Sequence, residues 1–144
     1  MEISTEENEE LVSEVYERSM ESVHAGSAIS YDENLVFQVE LLSQEANSGA
    51  SFEQYYRWVG KGEVDQILEL LNKLELSEVS KIVEKAINIA FPDGVPNNEG
   101  EYENCTEWSE SQEEILEKLF EEFEQYNGVI TNKLGAYIKT RKLV

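Results

Sequence analysis

The sequence has few of the residue types on which enzyme chemistry depends. Its 144 residues include one cysteine, Cys105, and one histidine, His24, and they contain no glycine-rich phosphate-binding motif. A single cysteine cannot form an intrachain disulfide, and a lone histidine without neighbouring ligands does not make a metal site. Cys105 lies between Glu103 and Glu107, whose negative charge disfavours a reactive thiolate. We therefore expect no enzyme activity, no metal site and no cofactor.

Positive charge is also scarce. The chain has 11 Lys and Arg residues against 31 Asp and Glu residues, which gives a formal net charge of −20. A surface of this charge repels the phosphates of nucleic acids and of anionic membranes, so we expect no direct binding to either. The charge indicates a basic partner, such as a DNA-binding protein or a nuclease, or it serves solubility alone.

Long apolar runs are missing as well. No stretch approaches the roughly 18 consecutive apolar residues of a membrane span. Residues 1–7 have neither the positive charge nor the apolar run of a signal peptide. We therefore expect a cytoplasmic protein that is not attached to lipid.

Apolar residues do recur at helical spacing along most of the chain. Hydrophobic residues make up 40% of the sequence, and no segment alternates for long enough to predict a strand. Length and pattern together predict an all-α fold, with residues 1–144 forming a single acidic domain of about six or seven helices. Residues 97–109 have few core-type side chains and are expected to form an exposed loop. Trp108 is expected to dock the far end of this loop on the rest of the fold.

Several side chains are placed to begin or end these helices. Ser4 or Thr5 can cap the first helix, and Ser77 can cap the fifth. The sixth helix, which is expected to bury Ile115, can begin either at Ser109 with Gln112 or at Ser111 with Glu114. Asn127-Gly128 is expected to end it.

Residues 47–58 concentrate the aromatic residues of the chain. Asn47 and Gly49 can adopt positive φ and end a helix, and Ser51 with Gln54 has the spacing of a capping box for the next helix. The ring area of that short helix exceeds what it could cover alone, so neighbouring helices are expected to bury it. The residues expected in the core are Phe52, Tyr55, Tyr56 and Trp58.

The same segment resembles a known family. Asn-x-Gly followed by Phe-x-Gln-Tyr-Tyr resembles the Asn-Gly-Gly-Phe-x-Gln-Tyr/Phe-Phe signature of small acidic bacterial proteins named after a DNA mimic, although Ser48 replaces the first glycine and Ala50-Ser51 lengthens the turn. Residues 85–96 and 134–139 resemble further parts of that family. The resemblance implies an all-helical, often dimeric protein whose acidic surface competes with DNA for a DNA-binding partner. The signature positions are Asn47, Gly49, Phe52, Gln54, Tyr55 and Tyr56.

Glutamates are concentrated on two of the expected helices. They recur there at a density of about one carboxylate per 3 Å of helix axis. One strand of B-DNA carries a charge every ~3.4 Å and the duplex one every ~1.7 Å, so either helix matches one strand and two helices are needed to match a duplex. The candidate partner-binding residues are Glu10, Glu14, Glu17 and Glu21 on the first helix and Glu110, Glu113, Glu114, Glu117, Glu121 and Glu124 on the sixth.

Three functions are compatible with these features. The first is a DNA mimic whose acids occupy the DNA-binding face of a transcription factor or another nucleic-acid-binding protein and inhibit it. The second is an immunity or antitoxin-type protein that blocks a cationic nuclease with the same surface. The third is a helical interaction module whose charge serves solubility alone. The mimic requires paired acidic helices, taken from one chain or from the two halves of a homodimer.

Overall fold

A computed structural model describes residues 2–96 and 107–144 of the chain. Within these ranges it contains seven α-helices and no strand, so the predicted all-α bundle of six or seven helices is confirmed. One apolar core receives side chains from each helix. The helices are α1 (Glu6–His24), α2 (Tyr31–Gly49), α3 (Glu53–Trp58), α4 (Lys61–Lys73), α5 (Ser77–Ala90), α6 (Glu110–Glu124) and α7 (Asn127–Arg141).

Two of the predicted helix starts are confirmed by their hydrogen bonds. The Thr5 hydroxyl accepts a hydrogen bond from the Asn8 backbone N–H at 3.1 Å, which caps α1. Ser109 and Gln112 form a reciprocal capping box at the start of α6, with bonds of 3.1 and 2.9 Å. Of the two alternatives for α6, the structure therefore selects Ser109 and places Ser111 inside the helix.

Two other predicted boundaries are wrong. Ser77 is the first residue of α5, and Leu76 occupies the cap position without a side-chain hydrogen bond. Asn127 and Gly128 begin α7 instead of ending α6, because the chain reverses one residue earlier, at Tyr126. The glycine is needed there for close approach, since a Cβ at Gly128 would clash with the backbone carbonyl of Glu2.

The turn predicted at Asn47 and Gly49 lies one residue later than expected. Both residues remain in α2, where the Asn47 side chain donates to the Ser43 carbonyl at 2.7 Å, and Ala50 adopts the left-handed conformation with φ 51°. Asn47 also exchanges hydrogen bonds with Asn127 at 3.1 and 2.8 Å. It therefore joins the end of α2 to the start of α7.

The predicted capping box of Ser51 and Gln54 is also wrong. Phe52 occupies the cap position of α3 and makes no side-chain capping bond. Gln54 instead donates to the Glu45 carboxylate at 2.6 Å, so it ties α3 back onto α2.

The aromatic residues of α3 form the centre of the core, with one exception. Phe52, Tyr55 and Tyr56 are fully buried, as expected, but Trp58 is 54% exposed. Trp58 follows Tyr56 by two positions, and a helix places such residues on opposite sides. Ile115 of α6 was also expected in the core and is 39% exposed, because it lies beside the buried stripe of that helix.

Ring contacts connect this centre to α6 and to the segment after α5. The Phe52 ring meets the Phe123 ring edge-on at 5.3 Å, and the Tyr56 ring meets Phe91 at 5.1 Å. Trp108 packs on Phe91 and donates from Nε1 to the Ala90 carbonyl at 2.9 Å. The predicted docking of Trp108 is thus confirmed, whereas residues 97–106, including Cys105, lie outside the described residues.

We predict that Phe52→Ala lowers the free energy of unfolding by ~3–5 kcal/mol, because it removes a fully buried ring and leaves a cavity. Trp58→Ala is the matched control from the same helix, and it should change the free energy by less than ~0.5 kcal/mol because a half-exposed side chain contributes little. Urea denaturation followed by circular dichroism measures both variants. Equal losses in the two would contradict this assignment of the core.

Candidate functional site

The four candidate acids of α1 form one exposed row, which we call the α1 stripe. Their spacing of three or four residues places them on one side of the helix, away from the buried side chains of Val12, Val15 and Ser19. All four are exposed, and none has an ion-pair partner within 4.0 Å among the described residues. The α1 stripe consists of Glu10, Glu14, Glu17 and Glu21.

The six candidate acids of α6 form a second row, the α6 stripe. It lies on the side of the helix opposite Leu116, Leu119 and Phe123, which enter the core. Glu113 is partly buried and the other five are exposed. The α6 stripe consists of Glu110, Glu113, Glu114, Glu117, Glu121 and Glu124.

Five of the eleven Lys and Arg residues form ion pairs within the described residues, and each of these pairs uses an acid outside both stripes. The shortest contact joins Lys139 of α7 to Glu7 of α1 at 2.7 Å, and Arg18 lies 3.5 Å from Glu33. The remaining ion pairs of the described residues are Lys61 with Asp65, Lys81 with Glu78, and Lys133 with Glu75. No ion pair of the described residues therefore uses a carboxylate of either stripe.

A further acid, Glu53 of α3, adds to the α6 stripe. Burial and then the carboxylate of Glu113 raise the pKa of Glu53, and Glu117 acts in the same direction while Arg57 opposes it. These couplings place Glu53 within electrostatic reach of two stripe residues. Local sequence patterns do not predict this proximity, because the approach of α3 to α6 depends on the packing of Phe52 against Phe123.

The two stripes lie on different parts of the bundle. α1 packs on α2 and α7, whereas α6 packs on α5, and these are the extensive contacts of each helix among the described residues. The α5–α6 pair is tied at one end by Gln112, whose Nε2 donates to the Ile89 carbonyl at 2.8 Å. One chain therefore presents two separate rows of acids and does not place them side by side.

The signature residues of α2 and α3 have structural roles. The rings of Phe52, Tyr55 and Tyr56 are buried, and Asn47 and Gln54 make the ties described above. Gly49 faces Gln54 so closely that an added Cβ would lie 3.0 Å from the Gln54 Cβ. The signature thus positions α3 against α2 and does not form a surface of its own.

Two kinds of feature are absent from residues 2–96 and 107–144. No group of three or more His, Cys, Asp and Glu side chains is arranged to hold a metal ion there. None of the seven helices is both long enough and apolar enough to cross a membrane.

Residues 27–141 match the family model of the DMP19-like proteins. The chain belongs to this family. DMP19 stands for DNA mimic protein 19, so the family suggests DNA mimicry, and a DNA-mimic family is not a family of enzymes. The matched range contains the whole α6 stripe and excludes α1. No curated protein and no solved structure matches the chain.

We predict that Glu53→Gln raises the free energy of unfolding near neutral pH. The pKa of Glu53 is higher in the folded than in the unfolded chain, so the ionised carboxylate disfavours folding above that pKa. The gain should disappear as the pH falls below the ordinary range of carboxyl groups, where residue 53 is protonated in both states. Urea denaturation at several pH values measures it.

Glu69→Gln, at an exposed position of α4 outside both stripes, is the control for this measurement. A gain from Glu53→Gln that persists unchanged at low pH would contradict an electrostatic origin.

Proposed function

We propose that the protein is a DNA mimic that binds the DNA-binding face of a basic protein, such as a transcription factor, and inhibits it by excluding DNA. The α6 stripe is the principal contact, and the α1 stripe is a second one. The observation that carries this proposal is the α6 stripe itself, an exposed row of unpaired carboxylates inside the part of the chain that matches a DNA-mimic family.

The charge spacing supports mimicry of a phosphate strand. α6 is a 15-residue helix, and its acids are spaced at about 3 Å of axis per carboxylate, close to the ~3.4 Å per phosphate of one DNA strand. The stripe lies on a rigid helix whose opposite side is held by the core. A basic protein surface that accepts a phosphate strand could therefore accept this row without reorganising.

A duplex has about twice the charge density of either acidic helix when all seven glutamates of each helix are counted. Since α1 and α6 do not pack together within one chain, we propose that a homodimer supplies the second row. A twofold arrangement of stripes would match a partner that itself reads DNA as a symmetric dimer.

Inhibition follows from mutual exclusion. The same Lys and Arg side chains cannot contact the phosphates and the stripe at once, so each occupant lowers the apparent affinity of the other. Both contacts are largely electrostatic and release counterions, so both should weaken with added salt.

We predict that changing four acids of the α6 stripe to Gln weakens binding to the basic partner by about one to two orders of magnitude. The four acids are Glu113, Glu114, Glu117 and Glu121. Glutamine keeps the side-chain size and helix propensity, while each lost exposed ion pair removes ~0.2–1 kcal/mol. Partners are captured from a lysate on the immobilised chain and identified by mass. Each purified partner is then titrated with the parent chain and with the variant. Duplex DNA should compete with the parent chain for the purified partner.

The matched control changes four exposed acids outside the stripes to Gln: Glu69, Glu75, Glu78 and Glu84. Glu63 is left unchanged because its carboxylate accepts the Gly60 N–H at 3.1 Å and caps α4. Equal losses from both sets would mean that net charge alone is recognised. Failure of DNA to compete would contradict mimicry, and capture of a nuclease would favour the immunity function.

We predict that light scattering at tens of micromolar, in physiological salt, gives twice the 16.5 kDa mass of the chain. Screening at that ionic strength, with a Debye length of ~8 Å, limits the repulsion between two acidic chains. A mass of one chain under these conditions would contradict the homodimer and leave the α6 stripe to act as a single row.

A further inference from the structure

Trp58 is an unusual side chain to find at the surface. It is 54% exposed at the end of α3, while the other tryptophan of the chain, Trp108, is buried and lies under the guanidinium of Arg57. Tryptophan is among the residues that contribute most binding energy in protein interfaces. An exposed one that adds little to the core is therefore a candidate contact for another molecule.

A groove of about 840 Å³ lies beside Trp58, and we call it the α1–α2 groove. Its walls come from the second half of α1, from α2 and from the end of α3. The apolar side chains that line it include Tyr16, Met20, Val23, Phe37, Leu41 and Trp58. Tyr16 and Phe37 stack with ring centroids 5.3 Å apart and form part of its floor. The size and lining suit a large apolar side chain.

One buried polar atom in the groove lacks a partner among the described residues. Gln38 lines the groove and is 8% exposed. Its Nε2 donates to Asn34 Oδ1 at 3.3 Å, but its Oε1 accepts no hydrogen bond. A buried acceptor without a partner is unfavourable, so an occupant that carries an N–H donor would satisfy it.

The charged residues around the groove favour a cationic occupant. Among the described residues, the titratable ones that line it are Glu45, Glu63, His24 and Tyr16. Burial is the main cause of the raised pKa of Tyr16, and the nearby carboxylates of Glu40 and Glu45 add to it.

Trp58 also borders the α6 stripe. Trp58 also lines a second cleft of about 330 Å³, together with Glu53, Arg57 and Glu117 of that stripe. The indole therefore stands between an apolar groove and a row of carboxylates. An occupant that placed an apolar side chain in the groove could reach the stripe with neighbouring basic residues.

We propose that Trp58 and the α1–α2 groove bind an apolar side chain of the basic partner, whose flanking Lys or Arg residues contact the α6 stripe. The inference rests on the proposed function and adds to it a source of specificity, since charge alone attracts any basic surface. Occupation of the groove by a second copy of this chain would instead appear as loss of the dimer mass in Trp58→Ala by light scattering, and that result would overturn the proposal.

Two synthetic peptides of equal positive charge test the proposal, one with Phe and one with Ser at a single central position. Each is titrated into the full chain by fluorescence anisotropy over a series of salt concentrations. The variants are Trp58→Ala and Ala28→Trp, the second of which fills the groove from an exposed lining position. Ile115→Ala is the control, because it removes an exposed apolar side chain of α6 that lines neither cleft.

The Phe peptide should bind the parent chain about tenfold more tightly than the Ser peptide, because burial of one phenyl ring is worth at least that factor. Trp58→Ala and Ala28→Trp should each abolish this preference, leave the binding of the Ser peptide unchanged and keep the dependence on salt. Ile115→Ala should change neither peptide.

Equal affinity of the two peptides for the parent chain would overturn the inference, and so would a preference that survives both variants. The proposed function is judged separately, by the four changes to Gln in the α6 stripe. If those changes left the Ser peptide as tightly bound as before, the proposed electrostatic contact with the α6 stripe would be contradicted. That conclusion would hold even if the preference for the Phe peptide persisted.

Discussion

The packing of the α3 rings against α6 is the contact on which the candidate surface depends. α3 has six residues, too few to be stable as an isolated helix, and it is held because Phe52 and its neighbours are enclosed by other helices. The edge-on contact between Phe52 and Phe123 fixes α6 by its buried side. The glutamates of α6 must then face outward, and Glu53 is brought within their electrostatic reach. A buried apolar contact thus determines where the negative charge of the surface lies.

The distribution of the few cations has an equally direct effect on this surface. Each ion pair of the described residues uses an acid outside the two stripes, and Lys139 with Glu7 fastens α7 to α1. A basic side chain within a stripe would neutralise part of the row that a partner has to meet. The acids in ion pairs lie outside the stripes and the acids of the stripes are in none, which supports recognition by the positions of the charges. Trp58 adds an exposed apolar side chain at the edge of the α6 stripe.

Many of the helices and their boundaries can be predicted from residues that are close together in the sequence. Apolar spacing predicted the all-α bundle. The hydroxyls of Ser4 or Thr5 and the alternative boxes at Ser109 and Ser111 predicted two helix starts, and the density of glutamates predicted two acidic helices. Each of these depends on residues within about four positions of one another, because a helix turn brings such residues together. The family was likewise predicted from a resemblance at residues 47–56, and these residues support the core and not the candidate surface.

What the sequence could not determine depends on contacts between distant segments. Asn47 and Gly49 stay helical because Asn47 bonds to residues 43 and 127, and the chain turns at Ala50, a residue with no special propensity for positive φ. Trp58 is exposed because no helix covers the last turn of α3, whatever the hydrophobicity of its ring. The separation of α1 from α6 and the approach of Glu53 to α6 also depend on contacts between distant segments. Tertiary packing alone decides which helices become neighbours.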